Sequence, residues 1–172
     1  MRLIVSPLPQ VEQLLAEHRP SHLVTLASPG AEAAFDAEHR LDLRFNDIAA
    51  PRERLIAPSA EHVAALLAFA EGWTGARPLL IHCWAGVSRS TAAAYVVACA
   101  RTAPGREGEW AARLRDAAPT ATPNPLIVAH ADCLLDHGGA MVRAVEAIGR
   151  GAETDWGAPF ELDLTAEGDG RR

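Results

Sequence analysis

The chain has 172 residues, of which 49% are hydrophobic, and a formal net charge of −6 at pH 7. This length supports one full hydrophobic core, so it predicts a single domain and argues against two. The sequence contains neither a basic stripe nor an apolar stretch long enough to cross a bilayer, so we expect neither nucleic acid nor membrane as a partner.

The first part of the chain alternates strand-like and helix-like segments. Strands are predicted over 3–5, 22–26 and 41–45, the first of them at a sheet edge, and helices over 11–18 and 31–38. Ser59 is expected to cap a further helix, whose apolar residues recur at helical spacing. This alternation predicts an α/β fold with a mainly parallel sheet of four to five strands flanked by helices.

The loop between residues 83 and 89 is the most informative part of the sequence. It follows a short buried strand, 78–83, and precedes an alanine-rich segment, 90–101, that reads as a buried helix. Such a loop is suited to bind an anion, because its N–H groups converge and the helix dipole adds partial positive charge. A thiol in this position is favoured as the thiolate, so Cys83 is expected to be a nucleophile that faces a bound oxyanion.

The side chains around this cysteine have matching predicted roles. The planar fork of Arg89 can bond two phosphoryl oxygens at once. Gly86 suits a tight turn or a close approach of backbone to ligand. Ser90 is placed to bond the sulfur of Cys83, and His82 to hold the loop through hydrogen bonds.

The loop backbone is predicted to bind the phosphoryl group. Trp84 is expected to point its ring away from the anion and to pack against the protein. The substrate-binding segment is Trp84, Ala85, Gly86, Val87, Ser88 and Arg89.

The motif His82-Cys83-x-x-Gly86-x-x-Arg89-Ser90 resembles the signature of the protein tyrosine phosphatase superfamily, in its compact dual-specificity-like branch. The resemblance covers nine residues and fills every fixed position of the motif. It implies a phosphatase-like fold and hydrolysis of a phosphorylated protein or small phosphate ester through a cysteinyl-phosphate intermediate. It also implies no metal or other cofactor, and an essential aspartic acid on an upstream loop. A weaker match is Pro123-Asn124, because similar families carry an asparagine after the signature helix.

A general acid must protonate the leaving oxygen of a phosphate ester. Asp47 is our candidate, because it lies 36 positions before Cys83, a spacing typical of the compact branch, and precedes a loop over 49–58. A turn or cap role for Asp47 is the alternative, since Asn-Asp pairs favour turns. Asp36 and Asp42 are the other candidates, although Asp42 alternates with two leucines and is expected to face solvent.

The second half of the chain is predicted to be helical. Helices are expected over 107–117, 125–136 and 139–148, separated by proline or glycine signals. Residues 1–150 are predicted to form one phosphatase-like catalytic domain. Residues 151–172 are predicted to form an acidic C-terminal tail, partly docked through Trp156 and Phe160 and disordered over 168–172.

The three cysteines, at positions 83, 99 and 133, form neither a metal-ligand spacing nor an even disulfide set, which favours a reducing cytoplasm. Cys99 lies about 15 Å along the helix from Arg89, too far for a disulfide with Cys83. Both Cys99 and Cys133 are expected to be packing residues. The chain has no lysine and much arginine and alanine, which hints at a GC-rich bacterial genome. A monomer is the default expectation.

Two other function classes remain open at this point. One is a phosphate-binding module that does not hydrolyse its ligand, and the other is rhodanese-like or arsenate-reducing cysteine chemistry. Phosphotyrosine is the favoured substrate, with phosphoserine and phosphothreonine as further candidates. The loop interior carries no additional cation, which argues against multiply phosphorylated inositol head groups.

Overall fold

Five strands form one sheet in the computed structural model, which describes residues 1–165. In chain order they are β1 (Arg2–Pro7), β2 (His22–Ala27), β3 (His39–Arg44), β4 (Leu79–Cys83) and β5 (Phe160–Asp163). The order across the sheet is β3-β2-β4-β1-β5, with the first four strands parallel and β5 antiparallel to β1. The predicted α/β fold with a mainly parallel sheet is confirmed.

The helices of the described residues lie within two residues of most predicted bounds. They are α1 (Val11–His18), α2 (Ala60–Glu71), α3 (Arg89–Ala100), α4 (Glu107–Ala117), α5 (Pro125–Leu134) and α6 (Ala140–Ile148), with a short 3-10 turn at Leu8–Gln10. Ser59 caps α2 as predicted: its hydroxyl accepts from the His62 N–H, and its own N–H donates to the His62 ring. None of these helices has the length and apolar character that crossing a bilayer requires.

The main core lies on one face of the sheet around α3. This helix is buried over all residues but its last, as its apolar circumference predicts. Helices α2, α4 and α5 pack around it, and α6 packs on α4 and α5. A smaller core on the opposite face joins α1 to the sheet through Ile4, Val11, Leu14, Leu23 and Leu80. The sheet is therefore covered on both faces. A ligand can reach it at its edges and at the ends of its strands.

The helix predicted over 31–38 does not form, and the segment runs as irregular chain. Two side chains from β3 hold its backbone in place: Arg44 donates to the Ala31 carbonyl at 2.7 Å, and Arg40 donates to the Phe35 carbonyl at 3.0 Å. Phe35 also packs its ring edge against His82. These tertiary contacts outweigh the helical propensity of the alanines.

The prediction that residues 3–5 form an edge strand is wrong, because β5 covers the outer side of β1. Along β5, Phe160 and Leu162 are buried while Glu161 and Asp163 are exposed, the alternation expected of a half-buried strand. The residue after β5 is held further, because the N–H of Leu164 donates to the Met1 carbonyl. The predicted disorder of residues 168–172 lies outside the described residues.

The two cysteines outside the loop differ in environment. Cys99 is buried in the core, as predicted, whereas Cys133 is exposed on α5, so its predicted packing role is wrong. Cys133 falls on the side of the amphipathic α5 that faces away from the core, opposite Ile127 and Val128.

Candidate active site

Cys83 ends β4 at the carboxyl edge of the parallel strands, where α/β proteins bind their ligands. Its side chain is only 2% exposed and lies against polar groups of the following loop. The Ser90 hydroxyl lies 3.1 Å from the sulfur, and the N–H of Gly86 donates to the sulfur at 3.3 Å. The N–H of Gly86 is a donor to the sulfur, and the Ser90 hydroxyl is close enough to act as a second one.

The loop is held in its curved form by close backbone packing. Gly86 has φ +71°, and a Cβ there would lie 2.7 Å from the Pro7 backbone nitrogen. Any other residue is therefore excluded by both conformation and space. Next to this contact, the N–H of Leu8 donates to the Trp84 carbonyl at 3.0 Å. The end of β1 thus fixes the shape of the loop.

Arg89, the first residue of α3, is a buried cation. Its Nη1 donates to the Phe45 carbonyl at 3.1 Å and to the Ser28 hydroxyl at 3.4 Å. Its Nε lies 3.8 Å from Asp47 Oδ2, which is too long for a hydrogen bond, and has no hydrogen-bond partner among the described residues. A buried charged donor without an acceptor is costly, so this N–H is suited to receive an oxyanion.

Asp47 lies in the loop after β3 and lines the same pocket as Cys83. Its Oδ1 accepts a hydrogen bond from the Ser88 hydroxyl at 2.7 Å and from Asn124 Nδ2 at 2.8 Å. The side chain remains 35% exposed. This carboxylate is therefore held in place and still accessible from the pocket.

The alternative acids lie elsewhere. Asp42 is exposed and forms ion pairs with Arg40 at 2.9 Å and Arg44 at 3.6 Å, so it faces solvent as predicted. Asp36 is exposed on the irregular segment and does not line the pocket. Of the three candidates, the fold brings only Asp47 to the cysteine.

Asn124 links the acid to the helical half of the protein. Its Oδ1 caps α5 by accepting from the N–H groups of Leu126 and Ile127. Its Nδ2 donates to Asp47 and, at 3.1 Å, to the Ile48 carbonyl. The sequence marked Asn124 only as a weak motif match, and its contact with Asp47, 77 positions away, depends on the fold.

His82 lies beneath the loop and is fully buried. Its Nε2 lies 2.8 Å from the Thr25 hydroxyl of β2, and the Phe35 ring packs edge-on against it at 5.2 Å. Burial lowers the pKa of His82 to about 4, so the ring is neutral at pH 7. This environment agrees with a supporting role and not with that of a base.

We expect this burial to make stability depend on pH. Unfolded His82 takes up a proton near pH 6.5, whereas the folded residue resists protonation until about pH 4, so stability falls as the pH drops. The expected loss between pH 8 and pH 5 is about 2 kcal/mol. Urea unfolding at both values should show that His82→Gln, which keeps a polar partner for Thr25, removes this part of the slope. An unchanged slope would contradict the assignment.

The pocket around these groups has a volume of about 460 Å³. Its charged lining side chains, within residues 1–165, are Glu32, Asp47 and Arg89, and most of the rest is apolar. Thr154, from the predicted tail, also lines it. The arrangement suits a single anionic group on an otherwise apolar ligand.

Trp84 does not pack as predicted. It lines the pocket and is 57% exposed. Its ring lies 5.6 Å from the ring of Trp156. Trp156 itself is 43% exposed. The sequence indicated that Trp156 docks on the body, but not that it docks beside the anion loop.

The solved structures that are similar to this chain include two phosphatase structures. The Yvh1 phosphatase domain from Chaetomium thermophilum matches with a TM-score of 0.55 and 20% identity, over 81% of this chain and 93% of that one. DUSP15 matches with a TM-score of 0.54 and 16% identity, over 85% of this chain and 89% of that one. No family model matches the sequence, and no curated protein matches it significantly. At these identities the likeness establishes the fold, which is that of dual-specificity phosphatase domains.

Proposed function

We propose that this protein is a cysteine-dependent protein tyrosine or dual-specificity phosphatase, which hydrolyses phosphotyrosine and, less well, phosphoserine and phosphothreonine. One observation carries the proposal: Cys83, Asp47 and Arg89, whose Nε has no hydrogen-bond partner among the described residues, line one pocket. Nucleophile, oxyanion donor and proton donor are the three groups that two-step phosphoryl transfer requires.

In the first step the thiolate of Cys83 attacks the phosphorus atom. The P–S bond forms as the P–O bond to the leaving group breaks, and Asp47, in its acid form, gives its proton to the leaving oxygen. Arg89 and the loop N–H groups stabilise the charge on the phosphoryl oxygens. The Ser90 hydroxyl is placed to donate a hydrogen bond to the sulfur and so stabilise the thiolate.

In the second step water hydrolyses the cysteinyl-phosphate. The Asp47 carboxylate takes a proton from the water as its oxygen attacks phosphorus, and the P–S bond breaks. Inorganic phosphate leaves, Cys83 returns to the thiolate and Asp47 is again protonated. The cycle balances without an oxidant, a reductant or a metal ion.

Hydrolysis of p-nitrophenyl phosphate in the presence of EDTA tests the proposal. We expect turnover by the unmodified protein and none by Cys83→Ser. Phosphate binding without turnover would instead identify a binding module. Sulfur transfer from thiosulfate to cyanide, or arsenate reduction, without phosphatase activity would identify the other class of cysteine chemistry.

A substrate panel tests the specificity part of the proposal. The mostly apolar lining and Arg89, the one cation that lines the pocket among residues 1–165, favour an aromatic monophosphate over a multiply charged ligand. We expect phosphotyrosine peptides to exceed phosphoserine peptides and phosphoinositides in kcat/KM. A preference for phosphoinositides would contradict the assignment.

The chemistry needs a reduced thiol. Cys83, Cys99 and Cys133 are all free in the structure. A reducing compartment keeps such thiols reduced, so we propose that the protein works in the cytoplasm.

Replacing Asn124 should separate positioning of the acid from helix capping. We expect Asn124→Asp to lower kcat about 10- to 100-fold, because it removes the donor to Asp47 and places a like charge there. The new carboxylate still caps α5, so the part of the unfolding free energy that the cap contributes should be kept. Asn124→Ala, the comparison variant, should lose both activity and about 1 kcal/mol of stability. Unchanged kcat in Asn124→Asp would show that Asp47 needs no such support.

A further inference from the structure

Two half-exposed tryptophans lie together beside the proposed catalytic pocket, which Trp84 lines and Trp156 does not. The other two tryptophans of the chain, Trp73 and Trp110, are at most 1% exposed, whereas Trp84 and Trp156 are 57% and 43% exposed. Trp84 lines the pocket that holds Cys83, and its ring centroid lies 5.6 Å from that of Trp156, at an interplanar angle of 37°. The pair therefore presents an aromatic surface directly beside the proposed phosphate site.

Both rings are attached to backbone that is fixed. The Trp84 carbonyl accepts from the N–H of Leu8. Trp156 is held by Thr154, whose hydroxyl donates to the Trp156 carbonyl at 2.7 Å and accepts from its N–H at 3.3 Å. Backbone that is already fixed loses little entropy when a ligand packs on the rings that it carries.

The segment that carries Trp156 is in direct contact with the anion loop. The N–H of Gly157 donates to the Ala85 carbonyl at 2.8 Å, and a Cβ at Gly157 would lie 2.8 Å from the Gly86 carbonyl oxygen. Further back, the N–H of Gly151 donates to the Thr122 hydroxyl. The segment over 151–157 is thus held against the anion loop, and its Thr154 lines the pocket.

We propose that Trp84 and Trp156 form an aromatic subsite that packs against the ring of an aryl phosphate whose phosphoryl group lies on the 83–89 loop. The inference rests on the proposed phosphatase function and adds the residues that select an aryl ester. When the phosphoryl group lies on the loop, the ring bonded to its ester oxygen is the next part of the ligand, within reach of Trp84. The mostly apolar lining favours an uncharged aromatic group there.

Binding to a Cys83→Ser background tests the subsite without turnover. Calorimetry would compare phenyl phosphate with methyl phosphate, which share the phosphoryl group and differ in the ring. We expect Trp156→Ala to weaken phenyl phosphate about 5- to 10-fold, the range of one aromatic contact. Methyl phosphate should weaken less than about 2-fold, and Trp156→Phe should restore most of the affinity for phenyl phosphate.

Leu134→Ala is the matched control, because Leu134 is 45% exposed on α5 and does not line the pocket. It should change neither affinity. Equal weakening of both ligands by Trp156→Ala would overturn the subsite, because the segment would then act only as a brace for the loop. A dependence on Trp156 seen solely with longer phosphopeptides would also overturn it, because the rings would then contact a flanking residue.

The two proposals fail in different ways. If the unmodified protein does not hydrolyse any phosphate ester, yet Trp156→Ala selectively weakens phenyl phosphate, the subsite stands and the phosphatase function falls. If the protein hydrolyses phosphotyrosine and the phenyl-to-methyl affinity ratio is the same with and without Trp156, the function stands and the subsite falls.

Discussion

Cys83→Ser should abolish turnover, with kcat reduced by about 10⁴-fold or more, while the protein still binds phosphate and vanadate. A serine hydroxyl is far less acidic than a thiol, so the nucleophilic anion is lost. The donors for the oxyanion, Arg89 and the loop N–H groups, remain in place. Timed assays with p-nitrophenyl phosphate would measure kcat, and calorimetry with orthophosphate would measure phosphate binding.

Cys133→Ser is the natural control, because Cys133 is an exposed free thiol on α5, outside the pocket. It should leave kcat unchanged. Loss of phosphate binding in a folded Cys83→Ser protein would count against Cys83 as the nucleophile. Residual turnover above one hundredth of the original rate would do the same.

Asp47→Asn is expected to lower kcat by about 10²- to 10⁴-fold with a much smaller change in KM. An amide cannot give a proton to the leaving oxygen, but it has nearly the shape of the carboxyl group. The loss should be larger for phenyl phosphate than for p-nitrophenyl phosphate, because p-nitrophenolate is the more stable anion and leaves with less help from an acid. Steady-state kinetics on both esters would show this difference.

Asp42→Asn and Asp36→Asn provide the controls for this prediction, since both side chains are exposed and neither lines the pocket. They should retain the original kcat. An Asp47→Asn protein with unchanged kcat on phenyl phosphate would move the acid to another residue. A loss of equal size on both esters would indicate a structural effect in place of proton transfer.

Local patterns were sufficient to predict most of the fold. The buried strand at 79–83, the uniformly apolar α3 and the Ser59 cap each depend on neighbours in sequence, and all three form. The segment over 31–38 failed because arginines of β3 and the ring of Phe35 fix it in an irregular form. The strand β5 was missed because its four residues are recognisable as a strand only when β1 lies beside them.

The proposed site also has residues that the local sequence could place and contacts that only the fold creates. Cys83, Gly86, Arg89 and Ser90 are close in sequence, so one motif was enough to place them together. The position of Asp47 in the pocket follows from the parallel direction of β3 and β4, because both strands end at the same edge of the sheet. Its contact with Asn124 and the approach of Trp156 to Trp84 join segments more than 70 residues apart, and no local pattern encodes them.

The last strand has a consequence for how this protein tolerates shortening. Residues 151–165 supply β5, which covers one side of β1, and also Trp156, whose ring contacts that of Trp84 beside the pocket. A truncation at residue 150 would bare the hydrogen-bonding edge of an apolar strand, an arrangement that invites pairing with other molecules. If Trp156 acts as proposed, trimming this one stretch of chain would change both solubility and ligand choice.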